Sequence, residues 1–161
     1  MASQGPTRIF IHGLDSSNQG TKAKFFRERY HDMLIPNFPG SLEERMEKLH
    51  SVLEGKSGII LVGSSFGGLM ATLFAMEDET RVKRMILLAP ALLLMDKTPY
   101  KPKAVGVPTW IFHGTRDELL PPQDTKKWAE TWFKDLTFEL VEDDHMLHNT
   151  FRQIDWDRLL S

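Results

Sequence analysis

Gly63-Ser64-Ser65-Phe66-Gly67 constrains this chain more than any other stretch. It follows the apolar run Ile59 to Val62 and leads into Leu69-Met70-Ala71-Thr72-Leu73-Phe74-Ala75. A strand, a G-x-S-x-G turn and a helix in that order push the central serine out of a sharp, strained bend, where its hydroxyl stands exposed. Glycine on either side of such a bend removes Cβ atoms that would strike neighbouring chain. Ser65 has glycine at −2 and +2, and Ser64 does not. A string of this kind arises by chance in roughly one chain of this length in twenty, so the rest of the sequence has to decide its meaning.

The remainder alternates short apolar runs with helical periods. Arg8-Ile9-Phe10-Ile11 reads as a strand ending at His12-Gly13, and Lys22 to His31 as a helix with Phe25 and Phe26 inward. Met33-Leu34-Ile35 reads as a strand stopped by Pro36. Ser41 with Glu44 forms a capping box, and Leu42, Met46, Leu49 and Leu53 repeat behind it at helical spacing. Gly58 to Val62, Met85 to Ala89, Val107 to Phe112 and Thr137 to Val141 supply further strands. Pro121-Pro122 opens a helix carrying Trp128 and Trp132, read as packing residues, and a last helix is expected from about Met146. Continuous apolar strands suit a sheet covered on both faces. The pattern predicts an α/β fold: a mainly parallel sheet of about six strands with helices on both faces.

Length bounds the organisation. A chain of 161 residues with no linker or repeat reads as one domain over 1–161. A domain of that size can bury about 70% of its unfolded surface, so it needs no staples. With no cysteines there are no disulfides, thiolate metal sites or cysteine nucleophile. Net charge is −2, which gives no pull toward nucleic acid or anionic membrane. No apolar stretch approaches the ~20 residues of a membrane span. The opening Met1 to Thr7 shows no leader, and a cytoplasmic location is the default expectation. Pro90 to Gly106 is the one long connection. Its Leu92 to Met95 could be core, cap or pocket wall, and the connection is short enough that any cap would be minimal.

In a parallel α/β sheet, ligands bind at the carboxyl ends of the strands. Ser65, the loop His113 to Asp117, Asp144-His145 and His12-Gly13-Leu14 all fall at such ends. A serine nucleophile needs a base, and the base needs an acid to fix its tautomer. Ser65, Asp117 and His145 stand in the Ser…Asp…His chain order expected after a nucleophile elbow. Phe66 and Leu14 would give the two backbone N–H donors of an oxyanion hole.

Taken together, these motifs make the chain resemble an α/β-hydrolase, in particular the small YqiA-like esterases. The likeness lies in His12-Gly13-Leu14-Asp15-Ser16-Ser17 followed by Lys22-Ala23-Lys24, in Val62 to Gly68, in His113-Gly114-x-x-Asp117 and in Asp144-His145. It covers nearly the whole chain in order. It implies a sheet without the first antiparallel hairpin of larger relatives, esterase-type activity and no cofactor.

Alternatives remain at several positions. Asp143 or Asp144 could compete with Asp117 as the acid, Glu118 is its neighbour, and His148 competes with His145 as the base. His12 and His113 read as loop anchors. A metal set of Asp143, Asp144, His145 and His148 lacks a recognised spacing. Gly55-Lys56-Ser57 is no phosphate loop, because position 50 is His50 and a strand follows rather than precedes it. The expectation is a serine carboxylesterase acting on small or medium acyl esters. A thioesterase with the same triad, or a hydrolase-fold binding protein with little turnover, are the alternatives.

Overall fold

The computed structural model describes residues 5–161. The opening residues 1–4, part of the segment read as carrying no leader, lie outside that range. Among the described residues five strands form one parallel sheet: β1 (Thr7–Ile11), β2 (Ile59–Ser64), β3 (Val82–Leu88), β4 (Thr109–Gly114) and β5 (Leu136–Val141). Their spatial order is β1-β2-β3-β4-β5. The helices are α1 (Thr21–Arg29), α2 (Leu42–Val52), α3 (Phe66–Glu77), α4 (Pro122–Trp132) and α5 (Trp156–Leu159).

Strand side chains alternate between two cores, as the two-residue period of a strand requires. Ile9, Ile11, Ile59, Leu61, Met85 and Leu87 pack with α2, α3 and α4 on one face. Phe10, Ile60, Val62, Ile86 and Leu88 pack with α1 and α5 on the other. Coverage on both faces explains the continuous apolar runs of β2 and β3. Ser41 caps α2, accepting from the Glu44 N–H while the Glu44 carboxylate accepts from the Ser41 N–H.

Two expectations are corrected. Met33 to Ile35 does not become a full strand: Leu34 alone bridges to β1, exchanging bonds with Arg8 and Phe10. Pro36 stops the segment at once, and the sheet has five strands, close to the expected number of about six. The last helix does not start near Met146. Instead Phe151–Gln153 forms a single 3₁₀ turn, and α5 is one turn long. The cause is the buried Asp143 carboxylate, which takes the N–H groups of Asn149 and Thr150 and so competes with a helical ladder. Of the readings open for the connection from Pro90 to Gly106, core describes its apolar residues. Leu92, Met95 and Val105 are buried in the core with α3 and α4. Tyr100 lies beside Met76 and Glu77, at the far end of α3 from Ser65.

The topology positions the site. After β1 the chain crosses through α1 to the outer side of β1, where Leu34 pairs. It then returns through α2 to lay β2 on the other side of β1. Connections thus diverge between the carboxyl ends of β1 and β2, and a crevice opens there.

Candidate active site

The sharp bend at Ser65 is built from sterics. Ser65 has φ 55° and ψ −114°, a left-handed conformation held between the end of β2 and the start of α3. A non-glycine residue there costs of order 1–3 kcal/mol and persists only where the surroundings impose it. A Cβ on Gly63 would lie 2.4 Å from the Gly67 oxygen, and one on Gly67 would lie 2.0 Å from the Ile11 oxygen. The two glycines therefore let the bend close and let α3 press on the end of β1. The Ser65 N–H donates to Leu88 O, and its carbonyl begins the α3 ladder by accepting from Gly68 and Leu69.

Ser65 Oγ stands 3.1 Å from His145 Nε2, and His145 Nδ1 stands 2.7 Å from Asp117 Oδ2. A carboxylate only accepts, so Nδ1 carries the proton and bare Nε2 faces the serine hydroxyl. The Asp117 side chain is fully buried, and that of His145 is 15% exposed. The other Asp117 oxygen accepts from the Leu119 and Leu120 N–H groups. Buried His113 adds a third contact. Its Nε2 lies 2.9 Å from Leu120 O and 3.1 Å from Asp117 Oδ2. Both are acceptors, which fixes the Nε2–H tautomer. Burial lowers the His113 pKa below that of a free histidine and keeps the ring neutral.

The acid and base loops are joined by backbone bonds from Thr115 N–H to Val141 O and from Arg116 N–H to Asp143 O. A Cβ on Gly114 would meet Asp143 O at 2.4 Å, so glycine permits that closure. Asp143 is buried and makes no bond to His145, accepting from Asp144 N–H, Asn149 N–H, Thr150 N–H and the Thr150 hydroxyl. Burial pushes its pKa up, but those bonds outweigh it and hold the carboxyl below its ordinary value. Asp144 pairs at 2.6 Å with exposed His148, whose bond brings the carboxyl down to about 2. Glu118 is exposed. The structure thus brings Asp117, not Asp143, Asp144 or Glu118, to His145, and turns His148 outward. Among the described residues no three His, Cys, Asp or Glu side chains gather as a metal ion would need.

The loop after β1 lies against the serine: a Cβ on Gly13 would sit 3.5 Å from Ser65 Cβ. His12 is buried, with Nε2 accepting from Phe38 N–H and Nδ1 lying 2.7 Å from Gly13 O. Accepting at Nε2 places the proton on Nδ1, which donates to Gly13 O. The Gly13 carbonyl and the Leu14 N–H belong to one peptide plane and point opposite ways, so this bond sets the direction of the Leu14 donor. The Leu14 and Phe66 N–H groups have no hydrogen-bond partner among the described residues. For Phe66, at the first position of α3, that is the ordinary state of a helix N-terminus. A cavity of about 230 Å³ opens beside Ser65 and His145, walled by Phe10, Leu14, Ala23, Leu119 and Met146. None of residues 90–106 lines it.

One residue here escaped the sequence reading. Arg45 is buried on α2 and donates to Leu14 O. Its signal was its place in the apolar stripe, three residues after Leu42 and four before Leu49.

Comparison with known proteins agrees with this architecture. A family model of the alpha/beta hydrolase fold matches residues 37–105. No curated protein matches at a significant level. Among solved structures, Est1E from Butyrivibrio proteoclasticus, recorded with bound ferulic acid, is 14% identical with a TM-score of 0.77, covering 96% of this chain and 86% of its own. Mouse alpha/beta hydrolase domain-containing protein 10 is 20% identical with a TM-score of 0.73, covering 91% and 84%. A Pyrococcus furiosus esterase is 15% identical with a TM-score of 0.73, covering 96% and 79%. Among the described residues no helix is long and apolar enough to cross a membrane.

Proposed function

We propose that this chain, which has the α/β-hydrolase fold, is a serine hydrolase that cleaves small or medium acyl esters. The observation that carries the reading is the chain of contacts Ser65–His145–Asp117, at 3.1 and 2.7 Å. Ser65 Oγ attacks the acyl carbonyl carbon as His145 Nε2 takes its proton. Negative charge gathers on the carbonyl oxygen and is met by the Leu14 and Phe66 N–H groups, the second at a helix N-terminus that favours anions. The imidazolium, oriented by ionised Asp117, then protonates the departing alcohol. Water, deprotonated by the same nitrogen, attacks the acyl-enzyme, and a second collapse releases the acid and restores Ser65. A thioester would pass through the same steps.

The cavity supports a short acyl group: at about 230 Å³ it is smaller than the roughly 300–1,000 Å³ of drug-sized sites. Turnover of p-nitrophenyl acetate and butyrate by the wild type and by Ser65→Ala tests the reading. Wild-type turnover lost in the variant is expected; equal rates in the two proteins would rule it out.

A further inference from the structure

Arg45 is a cation in the wrong place for a surface residue. It interrupts the apolar stripe of α2 and is only 4% exposed. Among the described residues no carboxylate bonds to it, and the Asp15 charge acts on it only from beyond ion-pair distance. Nε donates to Gly40 O at 3.0 Å and Nη2 to Leu14 O at 3.3 Å, while Nη1 is buried without a partner. The guanidinium carbon sits 5.3 Å from the centre of the Phe66 ring. Burying an unpaired charge is costly, and apolar replacement at such positions is often neutral or stabilising. Packing alone therefore does not account for arginine at this position.

What it touches does. Leu14 and Phe66 are the two residues whose N–H groups serve the oxyanion in the function proposed above. We propose that Arg45 is a positioning residue of the oxyanion site, bracing the Leu14 carbonyl against the Phe66 ring and setting a fixed positive charge behind both donors. This rests on Ser65 being the nucleophile. With His12 on the Gly13 carbonyl and Arg45 on the Leu14 carbonyl, two successive peptide planes are pinned, and the Leu14 N–H between them keeps one direction. The charge matters most when the substrate carbonyl becomes an oxyanion, because the ground-state carbonyl is neutral. Loss of Arg45 should therefore appear in kcat rather than KM.

The test compares the wild type with Arg45→Met, which fills the stripe, and Arg45→Lys, which keeps charge but not the two-sided fork. Fluorophosphonate labelling of the wild type comes first. If Ser65 is not labelled, the nucleophile reading falls and the role of Arg45 falls with it. If it is labelled, Arg45→Met should lower kcat for p-nitrophenyl butyrate about 10- to 100-fold, with KM within about 3-fold. It should weaken an alkylboronic acid, which forms a tetrahedral adduct on the serine, by the same factor as kcat. Arg45→Lys should recover part of both losses. Wild-type kcat and boronate affinity in folded Arg45→Met, or a change in KM alone, would overturn the assignment. Should Arg45→Met not fold, the Arg45 Nε–H resonance of wild-type protein decides. It should shift when the boronate binds, and an unmoved resonance would overturn the proposal.

Discussion

Ser65 and His145 meet at 3.1 Å, yet they are held there by unlike means. The serine stands on an elbow fixed by backbone collisions among neighbours in β1, β2 and α3. The histidine stands on a loop after the edge strand β5, fixed by polar contacts. The Asp143 carboxylate gathers four donors, and Lys22 Nζ donates to Met146 O at 2.7 Å. The elbow is therefore sensitive to volume and indifferent to charge. The histidine loop depends on charge as well as on the close approach at Gly114, and its integrity should follow pH.

Removing each partner's chemistry without touching its support gives the largest separation. His145→Ala should cut ester turnover by about five to six orders of magnitude. Its stability in urea should fall by only about 1–2 kcal/mol, because buried Asp117 keeps the Leu119, Leu120 and His113 donors and the loop contacts survive. A large loss of stability would mean that the imidazole itself holds the loop. Attacking the elbow's support should do the opposite. Gly67→Ala places a methyl 2.0 Å from Ile11 O, so a loss of about 3 kcal/mol or more, or no folded protein, is expected from urea unfolding.

Asp143→Asn probes the polar side. It swaps an acceptor-only carboxylate for an amide that must turn a donor toward other donors, and should cost about 1–3 kcal/mol. Turnover should fall about tenfold as His145 loses its placement. Because the folded Asp143 pKa is depressed, its stabilisation is present above the ordinary carboxylate value of about 4. It is lost as pH falls from there through the folded value, so the variant should lack that acid-side decline.

The smallest effect belongs to the buried histidines. His12 and His113 have folded pKa values lowered chiefly by burial. As pH falls below about 6.5 the unfolded chain takes up protons that the folded chain refuses, and stability drops. For one such group the drop between pH 7.5 and 5.5 is at most about 1.4 kcal/mol. His113→Gln should flatten that part of the stability–pH curve, as measured by urea unfolding at the two pH values. An unchanged slope would show that His113 takes up protons in the fold just as it does in the unfolded chain.

The same contrast explains what could be read from the sequence. The elbow, the capping box at Ser41 and the strand runs are local, so residue spacing reveals them. The order Ser65, Asp117, His145 was likewise legible, because strand ends in a parallel sheet share one edge. What stayed hidden depends on distant partners. Asp143 cancels the helix expected from Met146 by binding Asn149 and Thr150. Leu34 finds only a single bridge on β1. Leu92 and Met95 could be core, cap or pocket wall by sequence, and only the packing of α3 and α4 draws them into the core. Arg45 meets Leu14 across 31 positions of sequence, and no local pattern announces that contact.

The most direct test is covalent. Wild-type protein, Ser64→Ala and Ser65→Ala are incubated with a fluorophosphonate, and the adduct is located by peptide mass mapping. One adduct, on Ser65, is expected in the wild type and in Ser64→Ala, and none in Ser65→Ala. Absence of labelling in the wild type under conditions that label a known serine esterase, or an adduct persisting in Ser65→Ala, would contradict it.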